Sequence, residues 1–384
     1  MPTVSPLPSF EPGKLDLTST AFRAWLAEER ARKLSLDVAH KPLILIGAGS
    51  YLARDFVADV VAKGRVVALV DNVRAGQTFE GIPYIGDAAL GNLLTRTPDA
   101  IGLLCCGSEN AINHFTKAWG HRPQPLLSYF EVISLLPDIA SHNYWFVPAF
   151  SDPEQIAAIH EKAGKVFSDA LSLQTLDALM LYRLTWDIRH IARIAKPEKA
   201  IYFEPDVMPM TNHERLVDGG AYDGDTVRDF ITKTGGHYDH IHAFEIDPVN
   251  ADAFAFKTQD IKHLDLHRVG LWNQRAEMGI EQRIDNGSRV SQNAKVTVPL
   301  DAMDNMDLGA VSLIKLDIEG AENQALEGGR KLIETHRPKL AVCAYHKADD
   351  FLTILDTLLS LRDDYRLTLR HYSPILFDSV IFAL

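Results

Sequence analysis

Three groups of residues have the types and spacing for chemistry. The first is Asp218-Gly219-Gly220-Ala221-Tyr222-Asp223-Gly224-Asp225, which follows an apolar strand end and precedes a helical pattern. Glycines let the backbone turn tightly and approach a ligand closely, and amides at a helix start favour a carboxylate or phosphate. Glu245 closes the next apolar run, where an acidic side chain can accept hydrogen bonds from both hydroxyls of a ribose. Asp218, Gly220, Ala221, Tyr222, Gly224, Asp225 and Glu245 are therefore the expected contacts of a nucleoside ligand. A pyrophosphate is usually met by a bare glycine loop, whereas Asp218, Asp223 and Asp225 would repel phosphate. A ligand carrying an ammonium and a sulfonium fits better, which favours S-adenosylmethionine over NAD. The competing explanation, that these acids only cap a helix, applies best to Asp225.

The second group is Lys315-Leu316-Asp317-Ile318-Glu319-Gly320-Ala321-Glu322, after an apolar run whose carboxyl end should meet the same crevice. Strand alternation puts Lys315, Asp317 and Glu319 on one side, where mutual burial would perturb their pKa values. His346, just past Leu340–Tyr345, is the leading candidate for a general base, with Asp317 as the alternative and Lys315 orienting a carboxylate. A hydrogen-bonded structural histidine is the competing account of His346. Asp317 and Glu319 could share a divalent cation, but no complete ligand set is visible, so no metal is expected.

The third group is Gly47-Ala48-Gly49-Ser50, which follows Leu43–Ile46 and opens a helix, with Asp71 ending the next strand. This is a dinucleotide-type fingerprint whose third glycine position holds Leu52 or Ala53. Gly47, Gly49, Ser50 and Asp71 are the expected nucleotide contacts, with Asp71 on a ribose. The run Val67–Asn72 followed by Gly81–Gly86 resembles the nucleotide-sugar-binding domains that precede some sugar acyltransferases. A degenerate domain serving packing or dimerisation explains the same residues.

The C-terminal half resembles the FkbM family of S-adenosylmethionine-dependent methyltransferases. The matching elements are the Asp218–Asp225 loop, Ala243-Phe244-Glu245-Ile246-Asp247-Pro248, Leu300-Asp301, and Lys315–Glu322 followed by Leu326-Glu327-Gly328-Gly329. Their order and spacing hold over about residues 214–346. The resemblance implies a seven-stranded class I methyltransferase sheet with its last strand antiparallel, and adds Ile246 and Asp247 to the cofactor contacts. It also implies O-methylation, with acceptors ranging over sugars of surface glycans and polyketide hydroxyls. Two other functions remain as alternatives: an NAD-dependent oxidoreductase working through the N-terminal fingerprint, and a non-catalytic scaffold that retains cofactor. No Tyr-x-x-x-Lys pair can be placed for the oxidoreductase.

The elements that must position these groups are apolar runs without polar interruption, alternating with helical patterns. That pattern predicts α/β architecture with parallel sheets covered on both faces. Two Rossmann-like domains are expected: residues 1–39 form an extension with a helix near Ser19–Leu36, and 40–150 the first α/β domain. Residues 151–200 make a helical connector and 201–384 the methyltransferase domain. The closing runs Tyr365–His371 and Asp378–Leu384 are too close for a crossover helix and should pair antiparallel. The acceptor pocket is expected from variable loops such as Asn286–Gln292 and from the connector.

The 384 residues carry 39 Lys+Arg against 51 Asp+Glu, a net charge of −12 that disfavours nucleic acid and anionic membrane partners. Three cysteines, two of them adjacent, build neither a disulfide framework nor a four-ligand zinc site. No basic start with an apolar run opens the chain, and no apolar stretch reaches transmembrane length, so a cytoplasmic protein is expected. The expected partners are a small-molecule or glycan acceptor, with a nucleotide or nucleotide-sugar at the N-terminal domain; a homo-oligomer is compatible with the chain.

Overall fold

Uninterrupted runs of Ile, Leu and Val become central strands because both faces of a parallel sheet are dry. A computed structural model describes residues 15–50, 53–120, 122–136, 152–167, 169–282, 288–290 and 296–384. Leu52 and most of the Asn286–Gln292 loop lie outside the described residues. The chain divides into two compact units: Met1–Glu161 with Gln174–Ala195 and Ser373–Leu376, and Lys162–Leu173 with Lys196–Tyr372 and Phe377–Leu384.

In the first unit the order is α1 (Thr20–Leu34), β1 (Leu43–Ile46), α2 (Arg54–Lys63), β2 (Val66–Val70), β3 (Thr78–Phe79) and β4 (Ile82–Ile85). It continues with α3 (Asp87–Arg96), β5 (Ile101–Leu104), α4 (Glu109–Trp119), β6 (Leu126–Ser128) and α5 (Tyr129–Leu135). Ser19 caps α1 by accepting from the Phe22 amide at 3.2 Å. The sheet runs β3-β4-β2-β1-β5-β6, parallel except for β3. Leu43 to Ile46 in β1 are fully buried. Strand order reverses between β1 and β5, so the loops after them flank the crevice where this class of sheet binds ligands. A buried Lys33 on α1 pairs with Glu131 on α5 and also donates to the Thr185 carbonyl at 2.8 Å.

Residues 152–196, expected to be helical throughout, form α6 (Pro153–Val166), α7 (Ala170–Thr185) and the short α8 (Arg189–Ala192).

The second unit begins its sheet with β7 (Arg215–Gly219), α9 (Asp225–Lys233), β8 (His240–Phe244), α10 (Pro248–Lys257) and β9 (Leu264–His267). Then come β10 (Gly270–Leu271), β11 (Ala276–Gln282), β12 (Ser288–Val290) and β13 (Val296–Asp301). The series closes with β14 (Leu313–Leu316), α11 (Glu322–Gly328), α12 (Arg330–His336), β15 (Lys339–Cys343), α13 (Asp350–Leu361), β16 (Leu367–His371) and β17 (Ser379–Ala383). The seven-stranded sheet runs β16-β17-β15-β14-β7-β8-β9. β17 is antiparallel to both neighbours, as the short link before it required. Leu216, Ile241, Ala243, Leu313, Ala341 and Phe382 project from the strands into one core with Val227, Phe230 and Phe254 from the helices.

One layer differs from the expectation. The seven-stranded sheet ends at β9, and the chain between β9 and β14 builds a further sheet of its own. β10, β13, β11 and β12 form a separate four-stranded sheet with its own small core of Ile280, Val298 and Leu300. Glu277, Glu281 and Arg289 interrupt these strands with charges, which hides them from a search for apolar runs.

Candidate active site

Strand order reverses again between β7 and β14, and the chemistry-bearing residues of the second unit collect at the carboxyl ends of these two strands and of β8 and β15. The turn after β7 is tight. Gly220 has φ +77°, and a Cβ there would overlap the Asp317 carbonyl. This glycine thus lets the β7 and β14 loops meet, whereas the sequence suggested approach to a ligand. Tyr222 also takes a positive φ, +47°, held as its amide donates to Glu245 Oε2 at 2.8 Å. Ala221 is fully buried in the core beneath the loop, and Gly224 caps α9 in the left-handed region.

Asp218 is fully buried and pairs with Lys315 Nζ at 3.0 Å. Lys315 also donates to the carbonyls of Gly219 and Gly220, at 3.1 and 2.8 Å. Burial pushes the Asp218 carboxyl up against the pull of Lys315. Burial also opposes the Lys315 charge, but Asp218 and Asp317 outweigh it and hold the ammonium well above its ordinary value. Asp223 pairs with Lys257, and exposed Asp225 accepts from the Thr226 amide at 2.6 Å in the first turn of α9. The ring of three free carboxylates expected from sequence is therefore not formed. Two of those acids have lysine partners, and Asp218 is sealed from any ligand. The loop presents backbone and Glu245 rather than a ring of free charge.

Glu245 ends β8 with both oxygens placed: Oε2 accepts from Tyr222 and Oε1 from the Asp247 amide at 2.7 Å. Burial raises its pKa to about 7 against those two amides. Each carboxylate oxygen has a second lone pair, so two hydroxyl donors can still be received. Asp247 caps α10, with Oδ1 accepting from Val249 and Asn250 at 2.8 and 3.3 Å. Ile246 packs against the small core of the four-stranded sheet.

Past β14 the alternation expected for Lys315, Asp317 and Glu319 ends, because the strand stops at Leu316 and Glu319 turns with φ +57°. Asp317 is the hub instead. The hydroxyls of Tyr202 and Tyr345 donate to its Oδ2 and Oδ1 at 2.7 and 2.9 Å, and His346 Nε2 lies 3.3 Å from Oδ1. The Asp317 side chain is 25% exposed, enough to meet a ligand. Burial would raise its pKa, but His346, Lys315 and Tyr202 together hold the carboxyl well below the usual range. His346 is 1% exposed. Its Nδ1 stands 2.9 Å from Glu322 Oε1 and its Nε2 3.9 Å from Glu319 Oε2. Burial disfavours the imidazolium, yet Glu322, Asp317 and Glu319 overcome it and raise the pKa well above the ordinary value. A histidine in that state has no lone pair for a proton, against its expected role as base.

Glu322, Tyr202 and Tyr345 were not singled out from sequence. Glu322 lies inside the Lys315–Glu322 motif, and its Oε1 also accepts from the Ile318 amide at 3.0 Å. Tyr202 comes from a stretch without any motif signal. Atoms of Asp317, Glu322 and His346 come within 4.8 Å of one another, a spacing that could hold a metal ion.

In the first unit, Asp71 is half-buried and braces the turn after β1. Its Oδ2 accepts from Gly49 at 3.1 Å, and its Oδ1 from Val73 and Arg74, both at 2.9 Å. A Cβ on Gly49 would overlap that carboxylate. Gly47 and Ser50 close the turn, with the Ser50 amide donating to the Gly47 carbonyl at 3.0 Å.

A sheet of this order, with a glycine turn after its central strand and an acid ending the next, has the architecture of the Rossmann-like methyltransferases. Residues 218–367 match the methyltransferase FkbM domain, and the chain is a methyltransferase with S-adenosylmethionine as cofactor. The FkbM methyltransferase of Methylobacillus flagellatus KT matches 96% of this chain and 100% of its own at 22% identity, TM-score 0.72, a likeness of fold. An rRNA methylase from Streptococcus thermophilus is 12% identical over 46% of this chain and 88% of its own, TM-score 0.32. Fibrillarin from Aeropyrum pernix, with natively bound S-adenosyl-L-methionine, is 11% identical over 48% of this chain and 71% of its own, TM-score 0.31. No curated protein matches the chain. Among the described residues no helix is long and apolar enough to cross a membrane.

Proposed function

We propose that the chain is an O-methyltransferase acting on a hydroxyl of a sugar, glycan or related natural product. The observation that carries this reading is Asp317, an ionised and partly exposed carboxylate at the strand-order reversal, fixed by two tyrosine hydroxyls and an imidazolium. When bound, the cofactor supplies a methyl group on a sulfonium that is already electrophilic, so the protein's part is alignment and proton management.

Glu245 receives the ribose hydroxyls, while Gly220, Ala221 and Tyr222 present the loop backbone and the first turn of α9 offers its amides. Lys315 keeps that loop in place through Asp218, Gly219 and Gly220. Asp317 would accept a hydrogen bond from the acceptor hydroxyl, orient its lone pair, and take its proton as the C–O bond forms and the S–CH3 bond breaks to leave a neutral thioether. His346 acts through Asp317 as a positioning residue: its charge keeps Asp317 ionised, and Glu319 and Glu322 keep His346 charged. In the first unit, the crevice beside Gly47, Gly49 and Ser50 binds the nucleotide portion of an activated sugar, with Asp71 bracing the loop. Buried free thiols at Cys105 and Cys343 support a reducing, cytoplasmic setting.

The test is a labelled-methyl assay with the full chain across sugars, glycans, hydroxylated polyketides and amines. Base-stable label on a hydroxylated acceptor supports the reading. Label on amines alone, or bound cofactor with no transfer to any acceptor, overturns it.

A further inference from the structure

On the face of the second sheet opposite its main core, the edge strand and its neighbour bring three imidazoles and a carboxylate together. β8 contributes His240 and His242; β9, the edge strand, contributes Asp265 and His267. The strands are parallel with His242 opposite Asp265 and Phe244 opposite His267, so alternation sends all four side chains to one face. His240 Nε2 lies 2.9 Å from Asp265 Oδ2, and His242 Nδ1 lies 3.9 Å from the same oxygen. His242 Nδ1 also stands 3.3 Å from His267 Nε2. Phe244 stacks on the His267 ring at 4.5 Å and holds its plane.

We propose that His240, His242 and Asp265 hold zinc or a similar divalent transition metal, with water completing a tetrahedral set and His267 packed beside it, and that the ion staples the edge strand to the sheet. Bonds of about 2.0–2.1 Å to imidazole nitrogen and carboxylate oxygen place neighbouring ligand atoms about 3.3 Å apart around a tetrahedral ion. The separations of 2.9 and 3.9 Å bracket that value. His240, His242 and Asp265 each present a ligand atom within 4.8 Å of the others.

The protonation of the rings follows from His242. His242 is 4% exposed, and its Nε2 is buried with no hydrogen-bond partner among the described residues. With Nδ1 on the ion the proton sits on Nε2, a cost that the metal bond must outweigh. Two imidazole donors select zinc, cobalt or nickel over the oxygen-seeking magnesium and calcium. Arg215, next to His240 across β7 and β8, is the cation such an ion would have to tolerate, and Asp265 supplies the offsetting charge. The ion would act structurally, since β9 is four residues long and hydrogen-bonds on one side only, an edge that gains from cross-linking.

The experiment is titration of chelator-stripped, tag-free full-length protein with Co²⁺ and Zn²⁺ alone. Visible absorption reads the Co²⁺ geometry, and thermal unfolding reads stability. The expected result is one equivalent of Co²⁺ with the intense bands of tetrahedral coordination, and a rise in midpoint with Zn²⁺ but not with Mg²⁺. His240→Ala and Asp265→Asn, both at the solvent-facing side of the cluster, should each weaken Co²⁺ at least about 10-fold, since even outer-shell partners of a metal cost that much. Absence of uptake by the unaltered protein, or uptake unchanged in both variants, overturns the proposal. The second outcome would move the ion to another cluster, such as Asp317, Glu322 and His346. Neither readout depends on methyl transfer.

Discussion

Lys315 Nζ lies 3.0 Å from Asp218 Oδ1, and both side chains are sealed from solvent. The same ammonium donates to two carbonyls of the turn after β7, so one cation joins β14 to the loop that Gly220 bends. Lys315→Met would leave Asp218 buried without its partner. That should cost about 3–5 kcal/mol of stability, because an uncompensated buried charge remains. Adding Asp218→Asn should recover part of the loss. Urea unfolding of the two variants measures the coupling, and calorimetry with S-adenosylhomocysteine should find binding weakened in the single variant.

Glu245 gives a pH signature with two opposite signs. Its folded pKa of about 7 exceeds the ordinary 4.5 because burial disfavours the charge. On this group's account stability is greatest below the unfolded pKa and declines as pH rises through about 7. Hydrogen bonds from ribose hydroxyls favour the ionised form, so cofactor affinity should rise over the same interval. Glu245→Gln should flatten both trends. Calorimetric titration and thermal unfolding from pH 5 to about 8.5 check them.

The sheet was legible because its central strands are buried on both faces: Leu43–Ile46 and Leu313–Leu316 contain no polar residue except Lys315. The antiparallel close followed from chain length alone between Tyr365 and Leu384. The four-stranded sheet escaped because its strands alternate charge with small or apolar residues and its core is three side chains deep. At the site, Asp317 and Glu245 could be located from their places after apolar runs. Their partners could not. Tyr202 lies 115 residues from Asp317, and only the folded chain brings them together. The pairing of the loop's acids is hidden for the same reason, since Lys257 and Lys315 reach Asp223 and Asp218 from a distant helix and strand.

Gly49 tests the first unit. Its amide donates to Asp71 Oδ2 at 3.1 Å, and a Cβ there would overlap the carboxylate. Gly49→Ala should therefore displace Asp71 from the Val73 and Arg74 amides as well. Overpacking of this kind costs about 1–3 kcal/mol and should lower the thermal midpoint. The unaltered chain should bind a UDP- or GDP-sugar in calorimetry and the variant should not. Silence of the unaltered chain across such a panel would leave the loop a packing device.

The division of labour between Asp317 and His346 can be separated kinetically. Asp317→Asn keeps the shape but leaves one acceptor oxygen for the two tyrosine hydroxyls and removes the carboxylate charge, so kcat should fall at least about 100-fold, the usual reach of a lost proton acceptor. S-adenosylhomocysteine affinity should change little. His346→Gln should act differently. With the imidazolium gone, burial still presses on Asp317, and its carboxyl rises from below the usual range toward or above it. Activity should then fade at acidic pH and recover as pH increases, moving the acid limb of the kcat profile upward. In the unaltered enzyme Asp317 stays ionised through the mildly acidic range and contributes no such limb there. Were His346 itself the base, His346→Gln would depress kcat at every pH, with no recovery on the alkaline side. A rate profile of the two variants therefore decides which group receives the proton.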